Sequence, residues 1–131
     1  MSLSALNTAI YSLLAGTVTA AGSAVFFNQA EDNQALPYIV FDYTGDLDEN
    51  LTPSRMRNAL LFVRAYAATP AQAGAIDAQI DALLHLQTIT VSGWTNFWAA
   101  RENSFSLVET DQAGRKTHMA GAEYRIRLTK E

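Results

Sequence analysis

Cysteine is absent from this chain of 131 residues. No disulfide can form and no thiolate can bind a metal, a usage that fits a reducing cytoplasm. Lysine and arginine are also absent from residues 1–54, which carry six acids, whereas all nine basic residues lie in 55–131. The two parts have formal charges of −6 and +2, and the pI is about 5.0. The sequence therefore lacks the basic character typical of a free nucleic-acid binder.

Long hydrophobic runs are missing too. The stretch MSLSALNTAIYSLLAG contains no basic residue and is interrupted by Asn, Thr and Ser, so we expect neither a signal peptide nor a membrane span. The composition, 49% hydrophobic and 17% charged, indicates one globular domain over residues 1–131. The uneven charge suits a molecule that stacks head to tail, although solvated loops explain it equally well.

Catalytic motifs are not recognisable. The sequence has no glycine-rich phosphate loop and no nucleophile elbow. His85 and His118 lack neighbours at metal-ligand spacing. Asp77 and Asp81 lie one helical turn apart, which is more typical of a solvated face than of a cation site. We predict a protein that is not an enzyme, with no metal and no cofactor.

Two segments have helical periodicity. SALNTAIYSLLAG (4–16) repeats leucine and isoleucine at helical spacing, with Leu3 at its start, and TPAQAGAIDAQIDALLHL (69–86) combines an N-cap at Thr69 with Pro70 at the first helical position. Asp77 and Asp81 are expected to face water. Short apolar segments at 23–27, 37–43, 58–67 and 88–93 predict strands, the last with Ile89 and Val91 inward. Residues 102–110 and 117–129 flank a turn and predict a hairpin.

This order predicts an α+β fold, a mostly antiparallel sheet of four or five strands with two helices packed on one face. Both alternating faces of 58–67 are apolar, so we expect a central strand covered on both sides. The predicted core contains Leu60, Phe62, Ile76, Ile80, Leu83, Tyr124 and Ile126.

The polar segment TGDLDENLTPSRMR (44–57) separates two predicted strands and is longer than a hairpin turn needs. We predict a long loop at 45–57 that is mobile in the isolated subunit and becomes ordered on assembly, because it has little apolar surface to bury. Its candidate interface residues are Asp46, Asp48, Glu49, Asn50, Leu51, Arg55 and Arg57.

A second unusual segment, SGWTNFWAAREN (92–103), contains three aromatic residues, Trp94, Phe97 and Trp98. Two interpretations remain open: the aromatic side chains close the core, or at least one of them anchors a protein interface, where tryptophan is enriched.

Taken in order, these motifs resemble the tail completion or tail terminator proteins of long-tailed bacteriophages. The resemblance extends from about Leu3 to Lys130 and is carried by LPYIVFDYTGD, ALLFVRAYA, TPAQAGAIDAQIDALL and HMAGAEYRIRLTK. It implies a small α+β protein that forms a ring, typically a hexamer, on the head-proximal end of the tail tube. Such a ring stops tube polymerisation and provides the attachment surface for the head or neck.

The resemblance also implies the partners: other copies of the chain, the major tail tube protein and a head-completion or neck protein. Double-stranded DNA would be only cargo passing through the bore, and no membrane is involved. The protein would occupy the head–tail junction of the virion and the host cytoplasm during assembly. The alternatives are another neck or tail tube subunit or, in a different class, a small α+β ligand-binding or enzyme domain with residues 92–103 along a pocket.

Overall fold

The computed structural model describes residues 4–17, 25–28, 36–50, 55–89, 91, 93–110, 114 and 116–130. Within these ranges, only the backbone is described at 4–5, 16–17, 44–50, 55–57, 94–97 and 129–130. No helix in the described part of the chain is long and apolar enough to cross a membrane.

Five strands form one sheet: β1 (Val25–Phe27), β2 (Tyr38–Asn50), β3 (Arg55–Ala67), β4 (Trp94–Thr110) and β5 (Lys116–Lys130). Their order across the sheet is β1-β2-β3-β5-β4. The β1–β2 pair is parallel and the other three pairs are antiparallel. The predicted α+β class and the mostly antiparallel sheet are confirmed.

Two helices complete the fold. Helix α1 (Ser4–Thr17) carries the predicted stripe, of which Leu6, Ile10 and Leu14 are fully buried. Helix α2 (Pro70–Leu84) begins as predicted, because the Thr69 side chain accepts a hydrogen bond from the Gln72 amide at 3.1 Å.

A single hydrophobic core lies between the helices and one face of the sheet. Alternate residues of β3 point into it, and the strand register places their partners on β2 and β5 on the same face. For example, Leu61 is opposite Tyr43 on one side and Tyr124 on the other. The buried residues of both helices belong to the same cluster, so the prediction that both helices pack on one face is confirmed.

The predicted core was wrong about the face of β3. Leu61 and Val63 are buried against the helices, whereas Leu60 and Phe62 lie half-buried on the opposite face. The sequence could not separate them because both faces of this strand are apolar. On α2, Leu84 is fully buried and Leu83 packs only at the margin of the core, while Ile76, Ile80, Tyr124 and Ile126 are buried as predicted.

The predicted long loop at 45–57 was also wrong. Strand β2 continues through Asn50 and β3 begins at Arg55, with pairing that runs from Gly45 opposite Leu60 to Asn50 opposite Arg55. Only residues 51–54, which include Leu51 and lie outside the described part, connect the strands. The polar composition favoured a loop, but strand propensity depends strongly on pairing context. A register shift between Tyr43 and Gly45 marks where the polar part of the hairpin begins.

Residues 88–93 do not form the predicted strand in the part that is described, where Val91 makes only an isolated bridge. The inward positions were predicted correctly, because Ile89 and Val91 are both buried. Strand β4 begins at Trp94 instead, so the predicted hairpin is present and longer than expected.

Candidate assembly interface

The second face of the sheet, which we call the open face, points away from both helices. It carries mixed aromatic and charged side chains at the positions that alternate with the core residues. The Tyr38 and Tyr66 rings stack at 5.0 Å, and the Arg64 guanidinium lies 5.2 Å from the Phe62 ring centroid while donating to Asp42 at 2.8 Å. Rings and ion pairs of this kind are typical of a protein–protein contact surface.

Glycine at position 121 allows two strands and one aromatic pair to approach closely. A Cβ at this position would lie 2.6 Å from the Val63 carbonyl oxygen. Gly121 is opposite Phe105 on β4, and the Phe105 ring reaches across to Phe62, with the ring centroids 5.2 Å apart. The absence of a side chain therefore keeps the middle of the open face flat.

An ion pair joins β4 and β5 on this face. Arg125 donates to both carboxylate oxygens of Glu102, at 2.8 and 3.0 Å, and to the Asn58 side-chain oxygen at 2.8 Å. The hydrogen bond from Arg125 lowers the pKa of Glu102 overall, although burial acts in the opposite direction. Glu102 takes this position because the register shifts between Arg101 and Asn103. The bidentate geometry fixes the register of the edge strand.

The two segments singled out in the sequence lie at the same end of the sheet. Continuous register rows run across four strands, so Glu49 is in line with Met56, Thr129 and Thr95. The neighbouring rows place Asp48 in line with Arg57, Leu128 and Asn96, and Leu47 in line with Asn58, Arg127 and Trp98. We call this region the hairpin end. It places residues 45–50 and 55–57 at the same end of the sheet as the start of β4, with β5 between β3 and β4.

Trp98 is the described aromatic side chain at the hairpin end. It is 40% exposed, and the Arg127 guanidinium lies 6.0 Å from its ring centroid. An exposed tryptophan is a frequent anchor of interfaces. The side chains of Trp94 and Phe97, like those of Asp46, Asp48, Glu49, Asn50, Arg55 and Arg57, lie outside what is described. Their interface role stays a prediction.

A polar cluster that the sequence did not signal holds β4 against α2. Arg101 donates to Asp77 at 2.8 Å, to Asp81 at 3.4 Å and to the Tyr124 hydroxyl at 3.0 Å. Burial opposes the charge on Arg101, but the hydrogen bond to Asp77 and the neighbouring groups raise its pKa overall. Burial raises the pKa of Tyr124. The expectation that Asp77 and Asp81 face water was therefore wrong for Asp77, which is only 19% exposed.

His85 belongs to the same region and has a structural role. Its Nδ1 accepts a hydrogen bond from the Arg101 amide at 3.1 Å, next to the last turn of α2. The backbone of residues 86–87 bonds the outer edge of β4 at Ala99. Within the described ranges, no group of three or more potential metal ligands is present.

A shallow apolar groove of about 290 Å³ lies at the other edge of the sheet, between α1 and the first two strands. None of its described lining residues belongs to 92–103. Its lining is Asn7, Thr8, Tyr11, Ser12, Phe27 and Phe41. Among the described lining residues none is charged, and they offer no set of converging catalytic groups.

Comparison with known families agrees with this architecture. Residues 5–129 match the model of the family described as tail completion protein gp17. The chain belongs to this family. The match covers nearly the whole chain, so the helices, the sheet and the hairpin end all lie within it. The protein is thus a structural protein of a phage or phage-like tail, a class that is not enzymatic.

Solved structures share the fold. A chain from the virion of a native gene transfer agent particle superposes with a TM-score of 0.79 at 16% identity, covering 97% of this chain and 96% of that one. A second solved structure gives a TM-score of 0.65 at 12% identity, with coverage of 98% of this chain and 96% of that one. No curated protein shows a significant sequence match.

Proposed function

We propose that this tail completion protein is a tail terminator. Copies of it form a ring, most simply a hexamer, on the head-proximal end of the tail tube. The ring stops the addition of tube subunits and presents the surface to which the head or neck attaches. The chain from the gene transfer agent virion, which has the same fold, supports a place in such a particle.

The observation that carries the proposal is the convergence at the hairpin end. Two segments far apart in sequence, 45–50 with 55–57 and the start of β4, lie at the same end of the sheet and in the same register rows, with β5 between β3 and β4. The exposed Trp98 lies in this region. We assign the hairpin end to the contact with the last tube subunit, in which Trp98 supplies the anchor and polar residues set the register.

The bore of the ring would pass double-stranded DNA as cargo. A passage must not hold DNA, and phosphate contacts with lysine and arginine bind it strongly. A net charge of −4 per subunit repels phosphate and is consistent with transient passage.

The test is a particle in which this gene is deleted and then supplied in trans. Deletion is expected to give headless tubes of excess and variable length in electron micrographs, and the wild-type gene should restore normal tails. One variant replaces residues 48–57 by Asn-Gly, so that Leu47 and Asn58, which are opposite in the register, are joined by a two-residue turn.

This shortened protein should fold with an unchanged core and fail to terminate tails. Trp98→Ser should behave in the same way, whereas Ala75→Ser, an exposed site in the first half of α2, should terminate normally. Normal tail length with both hairpin-end variants would show that the tube contact lies elsewhere.

A further inference from the structure

Two exposed apolar surfaces lie on opposite edges of the sheet. The first, which we call the β4 patch, consists of Phe105 and Leu107 on the open face and Val108 on the opposite face of the same edge strand, which are 41%, 49% and 51% exposed. The second is the groove between α1 and β1, where Tyr11 and Phe27 are 47% and 42% exposed. Exposed apolar side chains that lie close together mark candidate interaction sites on a soluble protein.

The β4 patch lies in the second half of β4, which the helices do not cover. Residues 102–110 are all exposed, because α2 holds β4 only as far as Arg101. Among the described residues, backbone hydrogen bonds to the outer edge of β4 are found at Ala99, and the Arg101 amide is taken by His85. From Asn103 to Thr110, no described segment pairs with that edge. An open apolar edge strand is a ready site for a partner chain.

The groove has an unsatisfied polar atom of its own. The side-chain oxygen of Asn7 is buried and has no hydrogen-bond partner among the described residues. It lies in a lining that is otherwise hydroxyl-bearing or aromatic. A buried acceptor without a donor is unfavourable. An incoming strand would cover the aromatic lining with its apolar side chains and would donate a backbone amide to the Asn7 oxygen.

One copy cannot bring these two surfaces together. With β1 and β4 at opposite edges of five strands, and about 4.8 Å between neighbouring strands, the edges are about 19 Å apart. Two copies can meet if they associate head to tail. Such a contact leaves one free patch and one free groove on every pair, and it therefore continues until the ring closes.

We infer that the β4 patch of one copy docks into the α1–β1 groove of the next copy, and that this is the lateral contact of the ring. The inference rests on the proposed ring and identifies the surfaces that build it. The edge strand supplies Phe105, Leu107 and Val108, and the groove supplies Tyr11, Phe27 and the Asn7 acceptor.

The absence of native cysteine makes thiol cross-linking a direct test. Ser12 lines the groove and Ser106 lies between two residues of the β4 patch, and both are exposed, so Ser12→Cys and Ser106→Cys change little. With a short bismaleimide, a mixture of the two single variants should give cross-linked dimers. The double variant should give a ladder of cross-linked oligomers whose largest member contains as many copies as the ring. Each single variant alone should stay monomeric in a denaturing gel. Ser12→Cys mixed with Ala78→Cys, on the exposed surface of α2, is the control.

A second experiment tests the head-to-tail geometry. Leu107→Asp and Tyr11→Asp should each prevent oligomers while leaving the thermal melt close to wild type, because both positions are exposed. Mixed together, they retain one intact patch and one intact groove. The mixture should therefore reach twice the monomer mass by light scattering and no more. Ala75→Asp on α2 should assemble like the wild type.

The outcomes separate this inference from the proposed function. Cross-linked dimers from Ser106→Cys alone would show β4 pairing with itself and would overturn the inference. Rings seen by light scattering without a cross-link between the Ser12→Cys and Ser106→Cys variants would leave the terminator proposal intact and place the lateral contact elsewhere. If the two variants gave no cross-link at any protein concentration, with or without tail tubes, the inference about the lateral contact would also be overturned.

Discussion

The two faces of β3 are similar in composition and different in surroundings. One carries Leu61 and Val63, fully buried beneath the helices, and the other carries Leu60 and Phe62, half-buried on the open face. Other residues of this chain bury the first face fully, whereas on the second face Arg64 and Phe105 cover the Phe62 ring only in part. An apolar face on a small sheet can thus serve either folding or assembly, and strand periodicity does not say which.

The largest expected difference between the faces is in stability. Leu61→Ala removes a fully buried side chain and should lower the free energy of unfolding by about 2–5 kcal/mol. Leu60→Ala, on the neighbouring position of the same strand, should lower it by clearly less, because part of that side chain is already in contact with water. Chemical denaturation of the two variants measures both values. Equal losses would mean that the open face is as much a core as the helix face.

Gly121→Ala should have the next largest effect. The new Cβ would lie 2.6 Å from the Val63 carbonyl oxygen and 3.2 Å from the Arg64 Cα, so β3 and β5 would have to separate. Overpacking of this kind typically costs about 1–3 kcal/mol. Gly74→Ala is the control, because a Cβ there meets nothing within 4 Å and should slightly stabilise α2. A melt unchanged by Gly121→Ala would show that the strands are not so close.

Sequence patterns predicted the parts of the fold that depend on local chemistry. The helix start at Thr69 and Pro70 and the terminal hairpin follow from capping and alternation and are confirmed. The polar half of the β2–β3 hairpin was mistaken for a loop, because its strand state comes from pairing with residues far along the chain. That this hairpin and Trp98 lie at the same end of the sheet depends on strand order, which no local pattern contains.

The Arg101 cluster shows the same limit for charged residues. Helical spacing correctly placed Asp77 and Asp81 on one face of α2, but their partner is 24 and 20 residues away. In sequence, these acids are indistinguishable from a solvated pair. One cue was available: an arginine that directly follows an apolar run, here Phe97–Ala100, needs a carboxylate when it is partly buried.

Removal of Arg101 should have an intermediate effect that spreads to the edge strand. Arg101→Met keeps the apolar stem but leaves Asp77 and the Tyr124 hydroxyl without their donor, which should cost about 1–3 kcal/mol. It should also speed amide hydrogen exchange in β4, since Arg101 ties this strand to α2. Asp77→Asn, which keeps a hydrogen-bond acceptor, should lose less. If Arg101→Met destabilised the fold without affecting exchange in β4, the cluster would not anchor that strand.

The smallest expected effect concerns the open face and depends on pH. The hydrogen bond from Arg125 lowers the pKa of Glu102 in the folded protein. The stabilisation is therefore fully present above the ordinary glutamate pKa of about 4.3 and is lost as the pH falls through the lower folded value. Because both side chains are about one-third exposed, the pair should contribute no more than about 1 kcal/mol.

Glu102→Gln should accordingly lower the melting temperature slightly at pH 7, and the difference from wild type should shrink towards zero in acid. Added salt should shrink it at neutral pH as well, because water and ions reach the pair. Glu109→Gln, exposed further along the same strand, controls for the loss of one negative charge. A difference that persists unchanged at low pH would mean that Glu102 supports the open face through packing rather than through its charge, and that the register of β4 is set by the Arg101 cluster alone.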